Sequence, residues 1–313
     1  MLLSVAGIAG GLLLLAVSAE VLVKGAASLA RRLGFSPLVI GLTVVSIGTS
    51  LPELVVSVEA ALAGSGGLAL GNVVGSNIAN IALILGVAAL IAPIAVQAQV
   101  VRTDAPILVA VSIGFIGLVW DGGLSRGDGM LLTAGIVAYV FYTFRLAEAA
   151  PAHLQDEADA TLSASHSPVL DGGLVAVGMV GLIGGAHFLV TGAIEIAAAL
   201  GVSPVVIGLS VVAVGTSLPE LATSVVAAWR EQGDIAVGNA LGSSIFNLLG
   251  ILGTTVLIQP LSTAPLGWVE LAVMVGLAVA LVPFLRSSHM LSRAEGSVLL
   301  LCYLGYVIFL VLG

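Results

Sequence analysis

Long apolar runs alternate with short polar breaks along the whole chain. A run of about 20 apolar residues is long enough to cross the hydrocarbon core of a bilayer as an α-helix. These runs are continuous rather than strictly alternating, so they do not have the pattern of a membrane β-barrel. The pattern predicts about ten membrane-spanning helices, over residues 3–30, 37–63, 69–92, 104–120, 128–146, 172–199, 204–229, 235–259, 265–285 and 295–312.

The second half of the chain repeats the first. Residues 34–93 align with residues 201–260 without a gap, and more than half of the aligned positions are identical. Five predicted spans precede a polar linker and five follow it, and an odd number of spans per repeat turns the second copy upside down in the membrane. We therefore predict an all-α polytopic membrane protein built of two inverted five-helix repeats. The first repeat covers residues 1–146, an acidic linker covers 147–171, and the second repeat covers 172–313.

Composition and charge agree with this architecture. Hydrophobic residues make up 59% of the chain, charged residues only 8%, and the mean hydropathy is +1.22, which excludes a soluble globular domain. If the N-terminus lies outside the cell, nearly all arginines fall on the cytoplasmic side, as the positive-inside rule requires. We therefore predict that both termini lie outside and that the linker is cytoplasmic. The arginines placed on the cytoplasmic side are Arg31, Arg32, Arg102, Arg145, Arg230, Arg286 and Arg293, and only Arg126 is placed outside.

The repeated motif GTSLPE lies inside the second and seventh predicted spans, at residues 48–53 and 215–220. Pro52 has no N–H group and clashes with the preceding turn, so we expect this helix to break near Gly48. Broken turns in a membrane leave carbonyl groups unpaired, and a bound cation satisfies such groups. Thr49 and Glu53 are four residues apart and share one helix face, with Ser50 beside them. The seventh span is predicted to repeat this arrangement with Thr216, Ser217, Pro219 and Glu220.

A second repeated motif, GN-x-x-GS-x-I-x-N, lies in the third and eighth spans. Ser76 and Asn80 are four residues apart, as are Ser243 and Asn247, so each pair shares one helix face. The glycines of this motif should let these helices approach the broken ones closely; they are Gly71, Gly75, Gly238 and Gly242. Together the two halves would form a cage of oxygen ligands, which hard cations such as Ca²⁺ and Na⁺ prefer.

These two motifs, present in both halves, resemble the paired α-repeats of the calcium/cation antiporter superfamily, specifically its prokaryotic sodium/calcium exchangers. The resemblance implies a secondary antiporter in a prokaryotic cytoplasmic membrane that exchanges Na⁺ for Ca²⁺ by alternating access. It also implies that the backbone carbonyls of Ser46 and Ala213 join the ligands. The implied ligand set is Ser46, Thr49, Ser50, Glu53, Ser76, Asn80, Ala213, Thr216, Ser217, Glu220, Ser243 and Asn247.

Several alternatives remain open at this point. Proton-coupled relatives usually carry GN-x-x-E in place of GTSLPE, which argues against H⁺/Ca²⁺ antiport. Potassium-dependent relatives carry an aspartate where Asn247 stands, so the resemblance implies exchange that does not need K⁺. A cation channel or a non-transporting Ca²⁺ sensor are more remote alternatives. We expect no enzymatic activity, no cofactor and no nucleic-acid partner; Ca²⁺ and Na⁺ are the expected substrates, and the lipid bilayer is the expected surrounding. No protein partner follows from the sequence.

Overall fold

The computed structural model describes residues 2–149, 167–200, 213–263 and 267–312, and these residues are almost entirely helical. The helices in chain order are α1 (Leu2–Leu33), α2 (Pro37–Ile40), α3 (Ser46–Thr49), α4 (Leu51–Leu62), α5 (Gly66–Ile78), α6 (Leu85–Ile91), α7 (Ala105–Val119), α8 (Arg126–Ala149), α9 (Pro168–Ala199), α10 (Ala213–Thr216), α11 (Leu218–Trp229), α12 (Gly233–Phe246), α13 (Leu252–Ile258), α14 (Trp268–Ser288) and α15 (Arg293–Leu312). Four π-helical segments continue these helices, at Gly41–Val45, Ala79–Ile84, Val100–Asp104 and Asn247–Ile251.

The predicted spans correspond closely to these helices. Within the described residues, eight helices are long and apolar enough to cross a membrane, and a ninth span is a pair bent by 43°, Pro37–Thr49 and Leu51–Leu62. The span predicted over 204–229 is described only from residue 213 onward, and most of the predicted acidic linker lies outside the described residues. The all-α membrane architecture is therefore confirmed.

The two predicted broken helices are indeed interrupted, but not at the predicted residue. We expected the break near Gly48, whereas Gly48 still belongs to α3 and the backbone leaves helical geometry at Ser50, with φ −86° and ψ 8°. Ser217 has almost the same conformation, with φ −87° and ψ 7°. The physical reason is that Pro52 and Pro219 each occupy the first turn of the following helix, where a missing N–H is tolerated.

Two short antiparallel strand pairs, which the sequence pattern did not predict, tie the halves together. Strand β1 (Ile94–Ala95) pairs with β4 (Met290–Leu291), and β2 (Gly123–Leu124) pairs with β3 (Leu261–Ser262). The offset that relates the two repeats carries β1 onto β3 and β2 onto β4, so it exchanges the two pairings. This exchange is what a pseudo-two-fold axis between inverted halves requires.

The interior of the bundle is formed by the third and eighth spans. The apolar part of the third span, Gly66–Ile91, is 72% buried, and that of the eighth span, Gly233–Ile258, is 78% buried. The corresponding figure for the outer span Leu3–Leu33 is 28%. Helix α12 crosses the α2 region at close range, because a Cβ atom on Gly242 would lie 2.6 Å from the carbonyl oxygen of Leu42. Gly238 is packed in the same way against Leu38. The predicted close approach is confirmed for these two glycines.

The same prediction for Gly71 and Gly75 stays a prediction. Apart from neighbouring atoms of the same helix, no atom of the described residues lies within 4 Å of a Cβ atom built on either glycine. The segment that would face them by symmetry is 205–213, nearly all of which lies outside the described residues.

Helices α1 and α9 form a long pair on one side of the bundle. A Cβ atom on Gly11 would lie 2.7 Å from the carbonyl oxygen of Gly185, and one on Gly185 would lie 2.9 Å from the backbone nitrogen of Leu15. Small residues permit this near-contact of two backbones, which is the usual basis of close helix packing in membranes.

Candidate cation site

Two carboxylates lie buried at the centre of the molecule, each just after a helix break. Glu53 is in the first turn of α4 and Glu220 is in the first turn of α11. Both residues are only 1% exposed, and the two carboxylates interact electrostatically. The N-terminus of a helix carries partial positive charge and stabilises a nearby anion, which helps each break to hold its glutamate.

Each carboxylate accepts a hydrogen bond from the opposite half of the chain. The hydroxyl of Ser50 donates to Oε1 of Glu220 at 2.8 Å, and the hydroxyl of Ser217 donates to Oε1 of Glu53 at 3.2 Å. The threonines of the motif also lie close to the opposite half, since Thr216 interacts with Glu53 and Thr49 with Glu220. The hydroxyl of Thr49 donates to Oδ1 of Asn239, in the second half, at 3.1 Å. The two GTSLPE motifs therefore face one another and form a single constellation.

The serines of the second motif join this constellation from α5 and α12. The hydroxyl of Ser217 lies 3.4 Å from the hydroxyl of Ser76. Ser243 donates to the backbone carbonyl of Ser46 at 3.4 Å, so that carbonyl does face the site. The side chain of Ser46 is used within its own helix, where it donates to the carbonyl of Leu42 at 2.9 Å. Ala213, predicted through its carbonyl, is the first residue of α10.

Four buried oxygen atoms of the site have no hydrogen-bond donor among the described residues. They belong to two carboxylates and two side-chain amides at equivalent positions of the two repeats, and they are Glu53 Oε2, Glu220 Oε2, Asn80 Oδ1 and Asn247 Oδ1. A buried acceptor without a partner is unfavourable by about 1–3 kcal/mol, and by more when it is charged. Carboxylate and amide oxygens are the ligands that hard cations prefer, so the chemistry of the donor set fits Ca²⁺ or Na⁺.

Both amides lie where the helix widens. Asn80 belongs to the π-helical segment Ala79–Ile84, and Asn247 begins the segment Asn247–Ile251. Wide turns of this kind inside α-helices occur frequently at functional sites. Apolar residues surround both amides, and nothing in the sequence pattern indicated these turns.

Two further asparagines hold the broken helices in place and were not assigned a role from the sequence. The side-chain N–H₂ of Asn72 donates to the backbone carbonyl of Glu53 at 3.2 Å and to Ser57 at 2.9 Å. Asn239 repeats these contacts with the carbonyl of Glu220 at 3.2 Å and with Ser224 at 3.0 Å. Because these residues recur at the same spacing in both repeats, the repeat itself was a signal that could have found them.

A crevice adjoins the site at Thr216. It has a volume of about 360 Å³ and lies between α4, α9 and α10. Its walls include Pro52 and Val55 on one side and His187 and Val190 on the other, and Thr216 forms part of its lining. Thr216 is therefore the predicted site residue that this crevice reaches.

Comparison with known proteins gives consistent matches over nearly the whole chain. A family model described as sodium/calcium exchanger protein matches residues 3–145 and 171–312. A putative antiporter, CaxA of Alkalimonas amylolytica, is 37% identical over 303 residues that cover 95% of each chain. The sodium/calcium exchanger MaX1 of Methanosarcina acetivorans is 34% identical over 337 residues, covering 96% of each. The solved structure of the sodium-calcium exchanger NCX_Mj superposes with a TM-score of 0.86 at 33% identity, covering 98% of each chain.

Proposed function

The chain belongs to the sodium/calcium exchanger family, and we propose that it is a secondary antiporter that exchanges Na⁺ for Ca²⁺ by alternating access. The family is one of membrane transporters, and the many apolar helices make this chain an integral membrane protein. We assign it no enzymatic activity and no cofactor. The ions are its substrates.

The observation that carries this proposal is the set of four unpartnered oxygen atoms at symmetry-related positions. Two carboxylates neutralise one divalent ion, which offsets the large free energy of placing Ca²⁺ in a medium of low dielectric constant. Two amide carbonyls add oxygen ligands without adding charge. The same oxygens can hold Na⁺ when Ca²⁺ has left, and this exchange is the chemical basis of antiport.

The ligand set that we propose is the one expected from the motifs. The carboxylates of Glu53 and Glu220 supply the charge. The neutral oxygens come from Thr49, Ser50, Ser76, Asn80, Thr216, Ser217, Ser243 and Asn247, together with the backbone carbonyls of Ser46 and Ala213. The hydrogen bonds that Ser50 and Ser217 make across the two halves support a site that both repeats build jointly.

We further propose that exchange does not require K⁺. The charge of the cage is set by two glutamates, because Asn80 and Asn247 are neutral. Adding K⁺ to Ca²⁺ would leave more positive charge than the site can neutralise, and uncompensated charge is costly in lipid. From the internal repeat we also propose that residues 1–146 and 172–313 are the two halves of the transporter. We propose that both termini lie on the outer side of the membrane and that the acidic linker lies in the cytoplasm.

The deciding experiment is radioactive Ca²⁺ uptake by proteoliposomes under separately imposed Na⁺, H⁺ and K⁺ gradients. We expect uptake driven by an outward Na⁺ gradient, with no requirement for K⁺ and no response to a pH gradient alone. Uptake driven by H⁺ alone would contradict the coupling ion. Ca²⁺ flux that does not depend on the gradient of any second ion would indicate a channel. Ca²⁺ binding without flux would indicate a sensor.

A further inference from the structure

Asn77 is a buried polar residue next to the site that the repeated motifs do not mark. It lies near the end of α5, beside Ser76, and is 1% exposed. Its Oδ1 atom accepts a hydrogen bond from Nδ2 of Asn247 at 3.2 Å, although 170 residues separate the two. Its own Nδ2 faces Sδ of Met274 at 3.8 Å, and a thioether is a weak acceptor.

This contact determines which end of the Asn247 amide remains for an ion. An amide carries a carbonyl oxygen and an N–H₂ group on the same carbon, and only the oxygen can bind a cation. Because the N–H₂ group points at Asn77, the oxygen points elsewhere, and Oδ1 of Asn247 is one of the four unpartnered buried acceptors. If the amide rotated by half a turn, it would present N–H donors to the cation instead.

The two repeats differ at this position. The residue equivalent to Asn77 in the second half is Ser244, whose hydroxyl donates to the carbonyl of Ala240 within its own helix at 2.9 Å. Ser244 is fully buried as well, but its hydroxyl is committed to its own helix rather than to Asn80. Within the described residues, the hydrogen bond that orients Asn247 therefore has no counterpart at Asn80, the equivalent position of the first half.

We propose that Asn77 is a positioning residue that orients the amide of Asn247 as an oxygen ligand for the transported cation. This proposal rests on the proposed function, since it refines the site through which Ca²⁺ would pass. Residues that orient the ligands of a metal typically change its affinity by about 10- to 100-fold when they are removed. Asn77 is not one of the proposed ligands, so its effect should appear in affinity more than in the maximal rate.

The test compares three variants by Ca²⁺ binding to the purified protein in detergent, followed by uptake in proteoliposomes. Asn77→Ser introduces the residue that the second half already carries, and Ser244→Ala is the matched control. We expect Asn77→Ser to weaken Ca²⁺ binding by about tenfold or more, a loss typical of a ligand-orienting residue. The maximal uptake rate should change far less. Ser244→Ala should leave both within about twofold, because the one hydrogen bond of its hydroxyl among the described residues is to its own helix.

Asn77→Asp separates orientation from packing, because it keeps an acceptor oxygen of the same shape. We expect it to bind Ca²⁺ at least as tightly as the wild type. The proposal is overturned if Asn77→Ser binds Ca²⁺ normally, or if the serine and aspartate variants are equally impaired. Wild-type protein that binds Ca²⁺ but shows no Na⁺-driven uptake would defeat the proposed function alone, since binding still reports on Asn77. Wild-type protein that binds no Ca²⁺ would defeat both.

Discussion

The hydroxyl of Ser50 donates a hydrogen bond to the carboxylate of Glu220 at 2.8 Å, so a residue of the first half holds the acidic group of the second. The reverse contact, from Ser217 to Glu53, completes the exchange. Neither half can therefore form its own version of the site.

Replacing either glutamate should nearly abolish transport. Glu53→Gln or Glu220→Gln keeps the shape of the side chain but removes one of two negative charges, leaving a divalent ion under-neutralised in a medium of low dielectric constant. We expect Ca²⁺ uptake by proteoliposomes to fall by about 100-fold or more, since buried charges left without a partner are strongly unfavourable.

Glu20→Gln is the matched control for this experiment. Glu20 pairs with Lys24 at 2.7 Å and with Arg230, and it is partly exposed. Such pairs contribute about 0–1 kcal/mol, so its loss should affect uptake far less. Normal exchange by either Glu53→Gln or Glu220→Gln, at normal protein levels, would refute the assignment of the site.

Removing the serine donors should weaken ion binding without emptying the site. Ser50→Ala and Ser217→Ala each delete a hydrogen bond to a carboxylate of the other half, and bonds to charged groups contribute about 1.5–3 kcal/mol. We expect the apparent affinity for Ca²⁺ to fall by about tenfold or more in either variant, as measured from the concentration dependence of uptake.

Ser112→Ala provides the comparison for the serine variants. Ser112 is equally buried, but its hydroxyl donates to the carbonyl of Leu108 within its own helix at 2.8 Å. Its replacement should leave the apparent Ca²⁺ affinity unchanged. If Ser112→Ala and Ser50→Ala weakened uptake alike, the effect would lie in packing and not in the contact across the halves.

Exchange should proceed without K⁺. The neutral amide of Asn247 keeps the cage at two negative charges, and an aspartate there would add a third, which could offset a further monovalent cation. We expect Na⁺-driven uptake to be the same in K⁺-free and K⁺-containing proteoliposomes. Asn247→Asp should change the cation dependence more than it changes thermal stability. Uptake that disappears without K⁺ and returns when it is added would contradict this.

Close helix packing at Gly242 should tolerate no side chain. A Cβ atom there would lie 2.6 Å from the carbonyl oxygen of Leu42 and 2.7 Å from Oγ of Ser46. Gly242→Ala must push α12 away from the first broken helix, and overpacking of this kind typically destabilises a protein by about 1–3 kcal/mol. We expect a lower melting temperature in detergent together with reduced uptake.

Gly114→Ala is the control for this substitution. Gly114 also lies inside a helix, in α7, but apart from neighbouring atoms of that helix a Cβ atom there meets no atom of the described residues within 4 Å. Alanine favours helices by about 1 kcal/mol over glycine, so this variant should be as stable as the wild type or slightly more so. Equal destabilisation by both variants would show that the crowding at Gly242 is not the cause.

The sequence predicted the parts of the site that occur twice. The glutamates, the serines beside them and the helix breaks recur with the same spacing. A proline inside an apolar span either begins a helix or interrupts one, which limits the backbone conformations that the segment can adopt. The exact position of the bend could not be predicted without knowing where the second helix begins. A proline is compatible with the first turn of a helix, so Pro52 lies inside that turn and the bend falls at Ser50, the residue before the helix.

Features that depend on distant contacts could not be predicted in this way. Asn77 occurs in one half only, so a comparison of the repeats passes over it. The strand pair between β1 and β4 joins residues of opposite halves, and each strand is only two residues long, too short for a periodic pattern. The wide turns at Asn80 and Asn247 involve apolar neighbours that are equally compatible with an ordinary helix.

The pairing of α1 with α9 has a consequence for how the protein is made. Helix α1 is synthesised well before its partner, which is complete only at Ala199. At about 5–20 residues per second, synthesis of the intervening chain takes roughly ten to thirty seconds. During that interval lipid, another helix of the same chain or a foreign helix must cover the small-residue face of α1. Quality control in the membrane therefore meets α1 before α9 has been made, and a ribosome that stalls before α9 leaves a product in which α1 lacks this partner.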